Sequence, residues 1–315
     1  MTAPERAAAR VYEQLLTRVG EASPRPRIEP VRRLAELAGS PQLSFPVIQV
    51  AGTNGKTSTS RAIEALLRAH GLRTGLFTSP HLVDFSERFQ VDGRPVGGHE
   101  LAEAWEELQL PLQIVDAELA AAGNGPITFS EALAVLGFAI FADAPVEVAV
   151  IEVGMGGEWD ATYVADAEVA VFSPIDLDHV AILGPDIESI ARTKAGIIKP
   201  GATVVSAAQQ PEALAELAEA ALGQAGRLSP LQPGATMQQS VADEVAARVA
   251  AAADRVSTAG AGVNEPGTPA ASRALRDDRR APPPARAARG SRERNGAEAN
   301  SGRPAVEYLR GAPQP

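Results

Sequence analysis

Between Val47 and Thr59 the chain reads VIQVAGTNGKTST: an apolar, β-branched run, a Gly-Thr-Asn-Gly-Lys-Thr loop, then residues suited to opening a helix. Gly52 and Gly55 allow the backbone through Thr53 and Asn54 to pass close to an anion with successive N–H groups pointing inward. A helix opening near Thr57 adds its positive end. In such a loop Lys56 is the cation on the β- and γ-phosphates of a nucleotide, and Thr57 or Ser58 brings a hydroxyl near Mg²⁺. The first reading is therefore an ATP- or GTP-using protein. The loop departs from the standard phosphate-loop pattern, whose first glycine would fall on Val50, and an ordinary glycine turn capped by threonine is the competing reading.

Other polar residues close apolar runs in the same way. TSPHLVDFSER follows a short strand-like run, EVGMGGEWDAT another and SPIDLDHVAILG a third. Ser79, Glu152 and His179 are oxygen, carboxylate and imidazole donors of the kind that hold divalent ions beside a triphosphate. Glu152 ends an otherwise apolar run, where an unpaired carboxylate is costly, so a metal or a cation is its expected partner. Each has a plainer reading when taken singly: a turn serine, a hydrogen-bonded structural histidine, a salt-bridged strand end. GMGG is half of a dinucleotide fingerprint, without the full spacing or the helix that should follow it.

The elements that must position these groups alternate. Helical spacing covers 4–19 and 29–38, the latter with Pro30 in its first turn, and then 61–70, 100–122, 128–142, 187–195 and 211–222. Thr128 and Glu131 have capping-box spacing. Strand-like runs cover 47–51, 74–77, 146–153, 168–172 and 203–206. Such alternation predicts an α/β fold, a P-loop-type and mostly parallel sheet flanked by helices, with ligands at the carboxyl ends of the strands.

Composition limits the rest. The formal charge of -10 argues against a nucleic-acid binder, and the lack of cysteine excludes disulfides, thiolate metal sites and a thiol nucleophile. The longest apolar stretch, 132–141, is too short to cross a bilayer, and the first residues carry no secretory pattern. The reading is a soluble, cytoplasmic monomer with no nucleic-acid or membrane partner. Isoleucine ends at Ile198 and lysine at Lys199, and no Phe or Trp follows them. Residues 257–315 are rich in Pro, Gly, Ala and Arg, and the expectation there is a solvated, disordered tail. A helix over 241–256 is the last one predicted.

AGTNGKTST, LFTSPHLVDFSER, ITFSEALA, IEVGMGGEWDAT, LDHVAILG and KAGIIKPG stand in this order between residues 51 and 201. Together they closely resemble the folylpolyglutamate synthase/dihydrofolate synthase family of the Mur ligase superfamily, over roughly residues 5–222. The resemblance implies an ATP-dependent amide ligase that uses Mg²⁺. The γ-phosphoryl group of ATP passes to a carboxylate of dihydropteroate or a reduced folate, and the amino group of L-glutamate attacks the acyl phosphate. By position, Gly52, Thr53, Asn54, Gly55, Lys56, Thr57 and Ser58 would hold the nucleotide. Ser79 and Glu152 match ligands of one metal and His179 a ligand of a second. Lys194 falls on a lysine that the family carbamylates. Ser79, Pro80, His81 and Phe85, with Phe129 and Asp160-Ala161-Thr162, match the pterin-binding surface, and Lys56, Lys194 and His179 are the expected catalytic groups.

The chain departs from the family at Thr57 (usually Gly), Tyr163 (Asn), Asp176 (Gly), Val180 (Thr) and Thr193 (Glu). Beyond residue 226 none of the family's second-domain motifs occurs. The expected organisation is an ATP-binding domain over 1–226 and a low-complexity tail over 227–315, as from a shortened or shifted reading frame, and turnover by this chain alone is not expected. The alternatives are a peptidoglycan-precursor ligase, which Thr57 favours, a P-loop kinase or GTPase, and a non-catalytic nucleotide-binding remnant.

Overall fold

The computed structural model describes residues 2–20 and 26–228, with 243 and 247 as isolated positions. Its centre is β1 (Val47–Ala51), a five-residue strand buried along its whole length. It lies between β5 (Val148–Glu152) and β6 (Ala167–Phe172), and the eight-stranded sheet runs β4-β3-β2-β5-β1-β6-β7-β8. β2 (Thr74–Phe77), β5, β1, β6, β7 (Thr203–Ser206) and β8 (Arg227–Leu228) are parallel neighbours. β3 (Phe89–Val91) and β4 (Arg94–Pro95) add an antiparallel edge beside β2. The chain crosses from one side of β1 to the other between β5 and β6, so the carboxyl ends of β1, β5 and β6 share one rim.

Alternation along the strands divides the core. Ala149 and Ile151 of β5 face one side, with α1 (Ala3–Leu16), α2 (Glu29–Leu37), α4 (Gly98–Ala121) and α5 (Phe129–Asp143). Val148 and Val150 face the other and pack with Ile63 and Leu67 of α3 (Lys56–Ala69). Ala170 and Phe172 of β6 pack with α7 (Ile187–Ala195) and α8 (Pro211–Gly223). A short helix, α6 (Val180–Leu183), precedes α7.

Every helix and strand expected from periodicity up to residue 222 forms, within a few residues. The capping box forms too: Glu131 N–H donates to Thr128 Oγ1 (3.3 Å) and Thr128 N–H to Glu131 Oε2 (2.6 Å). The differences are β3, β4, β8 and α6, each too short for a periodic signal. β8 also carries the sheet just past the boundary expected at 226. The helix expected over 241–256, apart from positions 243 and 247, and the tail over 257–315 lie outside the described residues. Among the described residues no helix is long and apolar enough to cross a membrane.

Candidate functional site

The phosphate-loop candidate leaves β1 at Gly52, whose φ is +139°, and turns into α3 at Gly55, φ +81°. A Cβ on Gly52 would lie 2.0 Å from Ser173 Oγ and 2.8 Å from Ser173 O, so the loop runs against the end of β6 with no space for a side chain. The amides of Thr53 and Asn54 donate to Pro174 O at 3.0 and 3.2 Å. Thr53 Oγ1 also donates to Asp176 O and accepts from Asp176 N–H, both at 3.0 Å. This corrects the expectation that successive loop amides point inward, because the carbonyl of Pro174, just beyond β6, has taken two of them. The first helical amide to close on the loop is Thr59 N–H on Gly55 O (2.9 Å). The N–H groups of Lys56, Thr57 and Ser58 are left at the open, electropositive end of α3.

Glu152, at the end of β5, is 2% exposed. Thr57 Oγ1 lies 2.8 and 3.0 Å from its two carboxylate oxygens, and Ser79 N–H donates to Oε2 at 3.2 Å. Burial pushes its pKa up, against these two hydrogen bonds and the nearby charges of Lys56 and Arg61. Its direct hydrogen-bond partners are a hydroxyl and an amide, with the charges of Lys56 and Arg61 nearby. Lys194, on α7 and 5% exposed, donates from Nζ to Gly52 O at 2.8 Å. Burial, then the charge of Lys56, lowers its pKa to about 8.

A cavity of about 620 Å³ opens on this rim. Of the residues expected to matter, Lys56, Ser79, Pro80, His179, Asp160, Ala161 and Thr162 line it. His179 sits in the left-handed region at φ +49°, its Nε2 3.5 Å from Asp178 Oδ2. Among the described residues no hydrogen bond or ion pair joins it to Glu152. Asp160 turns its carboxylate into the loop, accepting from Met155 N–H (3.0 Å) and Thr162 N–H (2.9 Å), and burial raises its pKa. Gln49 Nε2 of β1 donates to Thr162 Oγ1 at 3.0 Å.

His81, Phe85 and Phe129, expected at the pterin-binding surface, do not line this cavity. Tyr12 of α1 stacks on Phe85 with centroids 4.8 Å apart and meets His81 edge-on at 5.3 Å. Phe85 is 5% and Phe129 3% exposed, and neither lines the cavity. Arg88 Nε donates to His81 Nδ1 at 2.8 Å, and its guanidinium lies 5.4 Å from the Phe129 ring centroid. These rings form the packed support of the 79–88 loop.

The cavity also has walls that motif reading missed. Arg27 lines it and grips Glu131 through Nε (2.7 Å) and a terminal nitrogen (2.8 Å), with Gly125 O and Pro126 O as further acceptors. No local pattern marks an arginine within PRPRIEP. Met155, Trp159 and Ile182 supply an apolar wall. The lone tryptophan inside a glycine-rich turn was the signal available for it.

Among the described residues no three His, Cys, Asp or Glu side chains converge on a metal position. The hard oxygen donors of Glu152 and Thr57 nevertheless meet at the open end of α3, with the backbone of Ser79 beside them. Such a set suits Mg²⁺, which takes few protein ligands and fills its shell with water and phosphate oxygens.

A parallel sheet with a glycine- and lysine-bearing loop at its topological switch and a cavity on the same rim defines an α/β class whose ligands sit at the carboxyl ends of the strands. Residues 50–229 match the Mur ligase middle domain, and the chain belongs to that family. Its similarity is to the folylpolyglutamate and dihydrofolate synthases. It is 49% identical over 182 residues to the dihydrofolate synthase/folylpolyglutamate synthase of Mycobacterium tuberculosis, covering 56% of this chain and 37% of that protein. It is 38% identical over 176 residues to the Escherichia coli protein of the same description, covering 55% and 39%. The chain thus spans well under half the length of these relatives. The solved M. tuberculosis folylpolyglutamate synthase complexed with ADP and AMPPCP superimposes with a TM-score of 0.66 at 39% identity, covering 71% of this chain and 50% of that one. A complex of an FPGS with AMPPCP and folate gives 0.63 at 33% identity, covering 70% and 53%.

Proposed function

We propose that this chain carries the ATP-binding, carboxylate-activating half of an amide ligase that joins L-glutamate to dihydropteroate or a reduced folate, as a monomer in the cytoplasm. The observation that carries the reading is the position of Lys56. Alone of residues 52–58 it reaches the cavity wall, so a phosphoryl group held by the loop would face whatever the cavity holds. The names and ligands of the relatives supply the substrate class.

In this reading the 52–58 loop and the open amides of α3 bind the nucleotide phosphates, and Lys56 balances the charge that develops during transfer. Thr57, Glu152 and Ser79 would hold Mg²⁺, which when bound neutralises phosphate oxygens. His179, on the cavity wall, would be a further ligand or catalytic group. Ser79, Pro80 and the Asp160–Thr162 turn shape the acceptor compartment, with His81, Phe85 and Phe129 bracing it from behind. Lys194 holds the loop through Gly52 O. Its largely buried amine is also the position of the family's carbamate, which intact mass measured in bicarbonate buffer would reveal or exclude. The nucleotide-binding unit is residues 1–226 together with β8. A peptidoglycan-precursor ligase is the second reading, favoured by the Thr57–Glu152 contact, and competition between dihydropteroate and a UDP-sugar peptide decides between them.

The direct test is calorimetry on the full chain with Mg-ATP and with dihydropteroate. Lys56→Ala is expected to weaken Mg-ATP binding by about ten- to a hundred-fold, the range for a lost charged hydrogen bond. Unchanged nucleotide affinity in that variant would sink the reading.

A further inference from the structure

We infer that Trp159 is the aromatic platform of the acceptor compartment and sets its selectivity for a flat ring system. The inference rests on the function proposed above and adds the residue that recognises the substrate.

The cavity is the acceptor's compartment because Lys56 is the only residue of the 52–58 loop on its wall. Elsewhere in the loop the Thr57 hydroxyl is directed to Glu152, the Thr53 and Asn54 amides to Pro174 and the Thr53 hydroxyl to Asp176. The remaining walls are divided by chemistry. Thr128, Ser130 and Glu131 bring the polar start of α5, and Arg27 is tied to Glu131. Across the rim, Met155, Trp159 and Ile182 are apolar. Trp159 is the largest side chain of that wall. The Asp160 carboxylate beside it accepts from the amides of its own turn, leaving shape and stacking as the main means by which this side can select.

The indole is held where it stands. Gly156 adopts φ +83°, and a Cβ there would lie 2.4 Å from Trp159 Cζ2 and 2.6 Å from Cη2, so the ring lies directly on a glycine backbone. The indole also packs against the cluster formed by α7, α8 and the end of β6. Asp160, the next residue, is locked by hydrogen bonds from Met155 and Thr162. A half-buried aromatic ring, backed by a glycine and a packed core cluster and lining a cavity of about 620 Å³, loses little entropy on stacking with a ligand. That volume lies within the usual range for small-molecule sites, about 300–1,000 Å³, and accommodates a fused bicyclic ring carrying an aryl carboxylate.

The chain contains its own reporter. It has two tryptophans, and the other, Trp105, is buried in α4 with its indole N–H donated to Gln14 Oε1. In a Trp105→Phe background, emission comes from Trp159 alone. Titration of that full-length variant with dihydropteroate should quench the emission saturably, whereas Mg-ATP alone should change it little. By calorimetry, Trp159→Leu should bind dihydropteroate about ten-fold more weakly and Trp159→Phe within about three-fold of wild type, with Mg-ATP affinity unchanged in both. Equal dihydropteroate affinity in wild type and Trp159→Leu would overturn the platform while leaving the proposed function standing. Failure of wild type to bind dihydropteroate while it binds Mg-ATP would overturn both. Loss of Mg-ATP and dihydropteroate binding together in both variants would assign Trp159 a structural role and also overturn the inference.

Discussion

Gly52 shows how little tolerance the loop after β1 has at the level of one residue. Its φ of +139° is disfavoured for any side chain, and the nearest obstacle to a Cβ includes the Ser173 backbone carbonyl at 2.8 Å, which cannot rotate away. Gly52→Ala is therefore expected to lose about 3 kcal/mol of stability from backbone strain and displacement of the β6 exit. Urea denaturation of the variant measures this directly, and a loss within error of zero would mean that the loop readjusts freely. Lys194 is coupled to the same spot, since its ammonium reaches the Gly52 carbonyl. A shift of the glycine thus moves the brace as well as the loop.

Among the elements, the 79–88 loop is braced before any ligand arrives. The Glu87 carboxylate accepts from the N–H groups of Leu82 (3.0 Å), Val83 (3.1 Å) and Asp84 (3.0 Å). These backbone hydrogen bonds, that of Leu82 foremost, hold its pKa below the ordinary carboxylate range. Arg88 holds the other flank through His81. Glu87→Ala should release the amides of Leu82, Val83 and Asp84 to exchange at least about ten-fold faster while leaving β2 and β5 protected. Lowering the pH through the depressed Glu87 pKa should loosen the same amides in wild type, because the bonding carboxylate is lost only when it protonates. Exchange rates of those three amides that ignore both the substitution and the acid would refute the brace. The loop also explains why β3 escapes periodic reading: three residues that pair with β2 straight after a turn have no room for an alternating pattern.

For the molecule as a whole, two buried lysines set the direction of pH-dependent stability. Lys194 and Lys199 each have a pKa lowered to about 8, chiefly by burial. Lys199 donates to Tyr163 O at 2.7 Å and stands 3.1 Å over that tyrosine's ring. A lysine whose folded pKa lies below its unfolded value binds its proton more readily when the chain unfolds. The fold is therefore penalised below about pH 8 and gains stability as the pH rises from about 8 toward the unfolded value of 10.5. The urea midpoint should rise over that window in wild type, and the rise should be shallower in Lys199→Met. A midpoint that falls with pH in wild type, or the same slope in the variant, would contradict the assignment.

Much of this architecture was legible in the chain itself. The Val47–Ala51 run, the Gly-Thr-Asn-Gly-Lys-Thr loop and the Thr128–Glu131 cap are local codes: hydrophobic period, glycine permissiveness and a side chain reaching its own backbone. Such features are decided within a few residues, so type and spacing suffice to predict them. Tertiary structure decided the direction in which the chemically capable groups face. Tyr12, far away in sequence, turns Phe85 and His81 into packed support. Pro174 takes the loop amides of Thr53 and Asn54, and Thr57 occupies the carboxylate of Glu152. Arg27 and Trp159 reach the cavity only because α5, α7 and the strand ends converge there. A hydrogen bond or a stacked ring depends on which distant surface arrives within a few ångströms, and that is fixed by how helices pack on a twisted sheet, which no local spacing encodes.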